Sequence, residues 1–173
     1  MWLIALKGLP GSGKSTIARA LSKQLGRPII DKDDIKDILD GHSPEAGGLA
    51  YQTMFNVARR QLLQGLDVIC DSPLTFSMSY KKARLIAAET HASLAIVECI
   101  CSDEQAWSQR INRRKQLQLP AHHQTDWDMF QTNRAKMENE MNYPISDPRI
   151  IVDTVRPLDG IVAETIRSLR HEQ

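Results

Sequence analysis

Short apolar runs typical of buried strands alternate with longer helix-forming segments along the whole chain. The apolar runs predict five strands, at residues 2–7, 28–31, 68–71, 94–101 and 149–153. The other segments predict helices at 17–26, 33–39, 49–64, 76–90, 104–118, 126–141 and 158–169, with a flexible glycine-containing loop at 40–48. Because nearly continuous apolar strands are buried on both faces, we expect a three-layer α/β fold around a parallel sheet of about five strands.

No repeat, low-complexity stretch or long linker divides the chain, so we expect one domain over residues 1–173. In parallel α/β sheets, ligands bind beyond the carboxyl ends of the strands. The segments that follow the predicted strands are therefore the first places to look for function.

The segment after the first strand, Gly8–Ser15, reads G-x-x-x-x-G-K-S, which is the pattern of a phosphate-binding loop. Its glycines allow backbone N–H groups to approach phosphate oxygens, and the helix that follows adds a partially positive N-terminus. We expect Lys14 to reach the β- and γ-phosphates and Ser15 to coordinate Mg²⁺. A chance match is the alternative, but the preceding strand and following helix favour a nucleotide site. Its predicted contacts are Gly8, Leu9, Pro10, Gly11, Ser12, Gly13, Lys14, Ser15 and Thr16.

Carboxylates follow two further strands and should lie at the same edge of the sheet. Asp71 closes the third strand and is predicted to help hold Mg²⁺; capping the next helix is the alternative. Asp33 and Asp34 open a predicted helix. One of them could cap that helix while the other accepts a proton from a substrate hydroxyl, and the sequence leaves open which does which.

Composition and net charge limit the classes of molecule that the chain is expected to bind. A net charge of +1 gives no overall attraction to nucleic acid or to anionic membranes, and 5% aromatic residues leave little surface for base stacking. Cys70, Cys99 and Cys101 lie in apolar strands and are interpreted as buried free thiols. With no membrane-length apolar run and no room for a signal peptide, we expect a cytoplasmic monomer or weak homo-oligomer.

Three segments together resemble the P-loop kinases of the zeta-toxin, chloramphenicol phosphotransferase and polynucleotide 5′-hydroxyl kinase type. They are the loop at 8–16, D-K-D-D-I-K at 31–36 and V-I-C-D-S-P at 68–73, supported by W-x-x-R-x-x-R at 107–113 and V-D-T at 152–154. The resemblance implies a sheet with the loop strand at its centre, and ATP with Mg²⁺ as the phosphoryl donor. It implies that Asp33 is the general base, that Lys36 contacts the transferred or acceptor phosphate, and that Asp153 and Thr154 contact the nucleotide.

A lid over the nucleotide is expected at about residues 110–126. Arg110, Arg113, Arg114 and Lys115 place four cations within six residues there. The resemblance implies that Arg110 or Arg113 contacts ATP phosphates and stabilises the charge on the transferring group, and Arg114 is a further predicted nucleotide contact. The cationic end of an ordinary surface helix is the alternative.

The acceptor pocket is predicted between residues 37–60 and 71–82, with Asp33, Lys36, Tyr51 and Arg59 as contacts. Core packing of Tyr51 and plain solvent exposure of Arg59 are the alternatives. The sequence thus predicts an ATP-dependent kinase that phosphorylates a hydroxyl of a small molecule. A polynucleotide or RNA 5′-hydroxyl kinase, and an ATPase or switch module without an acceptor, are the alternative functions.

Overall fold

The computed structural model describes residues 1–117 and 125–171. Its strands are β1 (Trp2–Lys7), β2 (Ile29–Asp31), β3 (Val68–Asp71), β4 (Ser93–Ile100) and β5 (Arg149–Asp153). Its helices are α1 (Lys14–Leu25), α2 (Lys32–Leu39), α3 (Ala46–Leu63), α4 (Ser77–Glu89), α5 (Glu104–Gln116), α6 (Trp127–Met141) and α7 (Leu158–His171).

The five strands form one sheet in the order β2-β3-β1-β4-β5, and every neighbouring pair is parallel. The predicted three-layer α/β fold is confirmed, with the loop strand β1 at the centre. Because all strands run the same way, the segments after β1, β2 and β3 meet at one edge. That edge carries the phosphate loop and the predicted carboxylates.

Side chains of β1 enter two different cores, one on each face of the sheet. Ile4 and Leu6 pack with α1 and α7, whereas Leu3 and Ala5 pack with α3 and α4. All four are at most 1% exposed. Burial on both faces explains why β1 reads as a continuous apolar run rather than as an alternating one.

A third, smaller core joins α5 to α6. The Trp107 ring lies 5.1 Å from that of Phe130, and the Trp127 ring lies 5.3 Å from Phe130, measured between centroids. Leu9 of the phosphate loop packs against the same cluster. This aromatic core therefore fixes α5, which carries the predicted arginines, beside the loop.

One sequence prediction fails at the start of α3. The predicted loop 40–48 ends earlier, because α3 begins at Ala46 and runs through Gly47 and Gly48. Burial of Ala46 and Ala50 outweighs the unfavourable helix propensity of the two glycines. Within the described ranges, no helix has both the length and the apolar content that crossing a membrane would require.

Substitution of two adjacent leucines at the end of α3 tests the core that lies between the sheet, α3 and α4. Leu62 is fully buried, whereas Leu63 is 56% exposed. Leu62→Ala is expected to lower the free energy of unfolding by about 2–5 kcal/mol, because it leaves a cavity. Leu63→Ala should change it by less than about 0.5 kcal/mol. Urea denaturation of both variants checks this, and equal losses would contradict the packing described.

Candidate active site

Positive φ angles and close packing require glycine within the phosphate loop, as at Gly8 and Gly13. Gly8 and Gly13 have φ angles of 148° and 93°, and Gly13 is the N-cap of α1. A Cβ on Gly8 would lie 2.5 Å from the Cys99 carbonyl oxygen, and one on Gly13 would lie 3.0 Å from the Thr154 side chain. The loop is therefore fitted closely between β4 and the segment after β5.

Lys14 folds back over this loop. Its ammonium donates a hydrogen bond to the Leu9 carbonyl at 2.9 Å. Burial lowers the pKa of Lys14, and the nearby negative charge of Asp71 opposes that shift. A cation held beside backbone N–H groups is suited to bind phosphate oxygens.

Asp71 ends β3 with only 4% of its surface exposed, and it hydrogen-bonds with Ser15. Burial raises the pKa of Asp71, while Ser15 and the charge of Lys14 oppose that shift. Hydroxyl and carboxylate oxygens suit Mg²⁺, which usually takes only one or two carboxylates and completes its shell with phosphates and water. Among the described residues, no group of three or more His, Cys, Asp or Glu side chains is arranged around a common ion. Ser15 and Asp71 therefore fit a magnesium ion that arrives with a nucleotide.

Asp31 caps α2, so the prediction that Asp33 or Asp34 caps it is wrong. The Asp31 carboxylate accepts a hydrogen bond from the Asp33 backbone N–H at 2.8 Å. Asp31 also lies opposite Asp71 in the β2–β3 register. Burial and the charge of Asp71 raise the pKa of Asp31 to about 6. With the cap supplied by Asp31, Asp33 and Asp34 are not needed for it.

Asp33 is paired with Lys32, which the sequence analysis missed. Lys32 is 8% exposed, forms an ion pair with Asp33, and places its ammonium 5.5 Å from the ring centroid of Tyr51. The signal was a lysine in the first turn of a helix, where the helix dipole disfavours a cation. A lysine at such a position is expected to contact residues outside its own helix rather than to stabilise that helix.

The raised pKa of Asp31 predicts a pH dependence of stability. An aspartate in an unfolded chain titrates near about pH 4, so between that pH and about 6 the folded protein holds a proton that the unfolded chain releases. The stabilising contribution of Asp31 is therefore complete below about pH 4 and is lost as the pH rises through about 6. Asp31→Asn keeps a good cap and carries no charge.

We expect Asp31→Asn to raise the melting temperature of the nucleotide-free protein near neutral pH, with little effect below about pH 4. Differential scanning calorimetry at the two pH values measures the difference. Asp34→Asn on the exposed side of α2 is the control. A stabilisation by Asp31→Asn that is the same at both pH values would contradict the assigned shift.

Two buried hydroxyls lie on the predicted acceptor side of the edge. Tyr51 on α3 and Ser72 after β3 have no hydrogen-bond partner of regular geometry within the described part of the chain. Burial raises the pKa of Tyr51 to about 12, so its hydroxyl stays protonated. Leu74, two residues after Ser72, has a φ of 44°, which is strained for a leucine. The Tyr51 hydroxyl lies close enough to Ser72, Leu74 and Thr75 for them to oppose the rise of its pKa, but neither hydroxyl has a hydrogen bond of regular geometry, so both are available to a ligand.

The predicted arginines lie on the other side of the loop. Arg110 donates hydrogen bonds to the Thr154 hydroxyl at 2.8 Å and to the Thr154 carbonyl at 2.9 Å. The Thr154 hydroxyl in turn lies 2.8 Å from the Ser12 carbonyl. Burial lowers the pKa of Arg114, and the charge of Asp71 opposes that shift. Together with Gly11, Gly13, Thr16 and Thr154, four arginines line a pocket of about 460 Å³, here called the arginine pocket: the predicted Arg110, Arg113 and Arg114, and Arg156.

Two other predicted site residues, Lys36 and Asp153, contact residues outside the phosphate loop. Lys36 forms an ion pair with Asp40 in the last turn of α2. Asp153 accepts a hydrogen bond from the Ser102 backbone and so joins the ends of β4 and β5. Within the predicted lid 110–126, residues 118–124 lie outside the described residues.

Arg59 is not brought to the candidate site. It forms an ion pair of 2.8 Å with Glu89, the last residue of α4. Helices α3 and α4 both end just before a strand begins, so this pair lies towards the amino-terminal edge of the sheet, opposite the loop. The linear spacing from Tyr51 placed Arg59 on the same helix stripe but did not show how far along the sheet it lies.

Fold and site together define a P-loop nucleotide-binding protein, with a loop lysine, a serine and an acid on the adjacent strand. The chain belongs to the AAA domain family, which matches residues 3–138.

Solved structures of similar fold include kinases. A protein of Chloroflexus aurantiacus assigned as a kinase has a TM-score of 0.75 at 22% identity, over 96% of this chain and 97% of that chain. A gluconokinase from Sinorhizobium meliloti has a TM-score of 0.63 at 20% identity, over 97% and 91%. At such identities the likeness establishes the fold alone.

A curated relative is an uncharacterized protein of Mycobacterium tuberculosis, 35% identical over 115 residues. That match covers 58% of this chain and 23% of the relative. The matched segment therefore spans about a quarter of the relative's length.

Proposed function

We propose that the protein is an ATP-dependent kinase that transfers the γ-phosphoryl group to a hydroxyl of a small molecule. The observation that carries this proposal is the position of Asp33. Its charge acts on both Lys14 of the loop and Asp71 at the end of β3, which are the proposed phosphate-binding cation and the proposed metal ligand. Nucleotide binding alone needs the loop and the metal acid, whereas transfer to a hydroxyl also needs a base.

In this proposal each group has one task. The loop amides and Lys14 hold the β- and γ-phosphates. Ser15 and Asp71 would hold Mg²⁺, which neutralises charge on these phosphates when bound. The acceptor oxygen forms a bond to the γ-phosphorus, the bond from that phosphorus to the leaving ADP oxygen breaks, and the hydroxyl proton passes to Asp33. Atoms and charge balance without a further reactant.

The arginine pocket would receive the rest of the nucleotide. Arg110 is already oriented by Thr154, so it can approach phosphate oxygens at little cost in side-chain entropy. Arg113 is exposed and Arg114 half-buried, and either can neutralise charge on the transferring group. A lid over residues 110–126 is part of this proposal.

The acceptor would bind between α2, α3 and the segment after β3, where Lys36, Tyr51 and Ser72 lie. The unsatisfied hydroxyls of Tyr51 and Ser72 support a hydroxyl-bearing acceptor, because they can exchange hydrogen bonds with it. The low aromatic content supports a small molecule over a nucleic-acid end. Membership of the zeta-toxin, chloramphenicol phosphotransferase and polynucleotide kinase type is part of the proposal.

An acceptor screen tests this function. Purified protein with ATP and Mg²⁺ is incubated with separate pools of sugars, sugar acids, nucleosides, aminoglycosides and 5′-hydroxyl oligonucleotides, and the products are analysed by mass spectrometry. A phosphoryl adduct on a small molecule, absent with Lys14→Met, supports the proposal. If only oligonucleotides are phosphorylated, the protein is a polynucleotide kinase instead. If ATP is consumed and no adduct forms, the protein is an ATPase.

A further inference from the structure

A second cavity, of about 330 Å³, lies against the other flank of the phosphate loop. Its walls come from the ends of β1 and β4, the start of β5, and the inner face of α6. It shares no lining residue with the arginine pocket. Gly8, Leu9 and Ser12 of the phosphate loop form part of its wall. A ligand in this cavity would therefore contact the loop on the side away from the arginine pocket.

This cavity, here called the Lys7 cavity, interrupts an otherwise apolar face. Alternation along β1 puts Lys7 on the same face as Leu3 and Ala5, which belong to the core with α3 and α4. Lys7 is nevertheless only 3% exposed. Burying an ammonium in an apolar core is unfavourable unless polar partners surround it.

The charges around Lys7 do not balance. The Lys7 ammonium donates to one oxygen of Glu98 at 2.9 Å, and Arg149 donates to the other oxygen at 2.5 Å. Burial would raise the pKa of Glu98, but these two hydrogen bonds outweigh it and lower that pKa. One carboxylate thus serves two cations, which leaves one positive charge in excess among Lys7, Glu98 and Arg149. At the opposite wall Arg134 pairs with Glu138 at 2.8 Å and also with Glu104, which does not line the cavity, at 2.9 Å.

Two hydrogen-bond donors that line the cavity have fewer acceptors than they can use. An ammonium has three N–H bonds, and within the described ranges Lys7 donates one hydrogen bond, to Glu98, while its ammonium also lies 5.6 Å from the centroid of the Tyr143 ring. The Ser12 hydroxyl is 1% exposed and has no hydrogen-bond partner among the described residues. Buried donors in a native protein are normally satisfied by protein, water or ligand.

We infer that the Lys7 cavity binds a small organic molecule bearing a single carboxylate. Its carboxylate oxygens accept hydrogen bonds from Lys7 and Ser12 and compensate the excess positive charge. Its carbon body packs against the apolar walls made by Leu9, Trp107 and Met141. The volume is at the lower end of that of small-molecule sites, which limits the ligand to a compact acid.

Occupation of this cavity should change nucleotide affinity, because Ser12 and Leu9 belong to both sites. A ligand that fixes the loop lowers the cost of ordering it around phosphates, and the coupling is reciprocal. The bound acid is either an effector or the phosphoryl acceptor; in the second case the acceptor occupies this cavity and not the site proposed above between α2, α3 and the segment after β3. Binding in either case does not require the proposed kinase activity.

The test uses calorimetric titration of the nucleotide-free protein with gluconate, mandelate, benzoate and hexanoate, each compared with its neutral amide. We expect at least one acid to bind at least about tenfold more tightly than its amide, the difference that one favourable charged contact gives. Lys7→Met should abolish this preference, whereas Lys23→Met on the exposed side of α1 should keep it.

Arg149→Gln provides a second variant in case Lys7→Met does not fold. It removes the other cation that binds Glu98 and leaves the Lys7–Glu98 pair neutral, so the preference for the acid should fall by about tenfold or more. No acid binding better than its amide, which is the result if the cavity holds only water, would overturn the inference. An acid preference that survives both variants would also overturn it.

A third measurement separates the two sources of the carboxylate. The bound acid is incubated with ATP and Mg²⁺: a phosphorylated product identifies the acceptor, and an unmodified acid that changes the dissociation constant of ATP identifies an effector. Failure of all phosphoryl transfer would refute the proposed kinase and leave carboxylate binding intact. Absence of carboxylate binding would leave the kinase proposal intact.

Discussion

Asp33→Asn is expected to lower the turnover number by about 10²–10⁴-fold, the range that general bases contribute. Asparagine has the shape of aspartate but cannot accept the acceptor's proton. The affinity for ATP should remain close to that of the original protein, because Lys14 and the loop amides hold the phosphates. Steady-state kinetics for turnover and calorimetry with a non-hydrolysable ATP analogue measure the two quantities separately.

Asp34→Asn is the matched control for this substitution. Asp34 is the next residue of the same helix and is exposed, and Asp31 supplies the helix cap in both variants. Asp34→Asn should therefore leave turnover nearly unchanged. A large loss with Asp34→Asn and none with Asp33→Asn would transfer the role of base to Asp34. Unchanged turnover in both variants would show that neither aspartate acts as a general base.

Lys14→Met is expected to weaken ATP binding by about 10–100-fold, because a hydrogen bond to a charged group contributes about 1.5–3 kcal/mol. Turnover should fall by a further factor of about 10²–10³, since the same ammonium stabilises charge that develops on the γ-phosphate. Methionine keeps the length and apolar stem of the side chain. Calorimetry and steady-state kinetics again separate affinity from turnover.

Stability distinguishes this loss of function from a loss of fold. Among the residues that the structure describes, Lys14 donates one hydrogen bond, to Leu9, and it lies over the loop rather than within a core. The melting temperature of Lys14→Met should therefore stay close to that of Lys23→Met, which removes an exposed lysine from the same helix. Full ATP affinity in Lys14→Met would contradict the assignment of the loop as the phosphate site.

The fold was largely predictable because its strands are short apolar runs that end abruptly at polar residues. β1, β3 and β5 begin and end at the predicted residues, β2 begins one residue later than predicted, and β4 begins and ends one residue earlier. The start of α3 was not predictable, since Gly47 and Gly48 indicate a loop locally. They are helical only because neighbouring alanines are buried by distant parts of the chain.

The site was predictable where a contiguous motif carried it and not where contacts between distant segments decide it. The loop pattern predicted Lys14 and Ser15, and the end of β3 predicted Asp71. The β2–β3 register brings Asp31 beside Asp71, and no local pattern contains that register. The pairing of Arg59 with Glu89 and the burial of Lys7 beneath α6 likewise depend on tertiary packing.

The fate of the γ-phosphoryl group tests the central claim most directly. ATP labelled at the γ-phosphate is incubated with Mg²⁺, the protein and a mixture of small hydroxyl compounds, and the label is separated into inorganic phosphate and phosphate esters. Most of the label consumed is expected to appear as a phosphate ester, and Asp33→Asn should suppress this ester while the variant still binds ATP. Label released only as inorganic phosphate, at the same rate with and without the hydroxyl compounds, would contradict it.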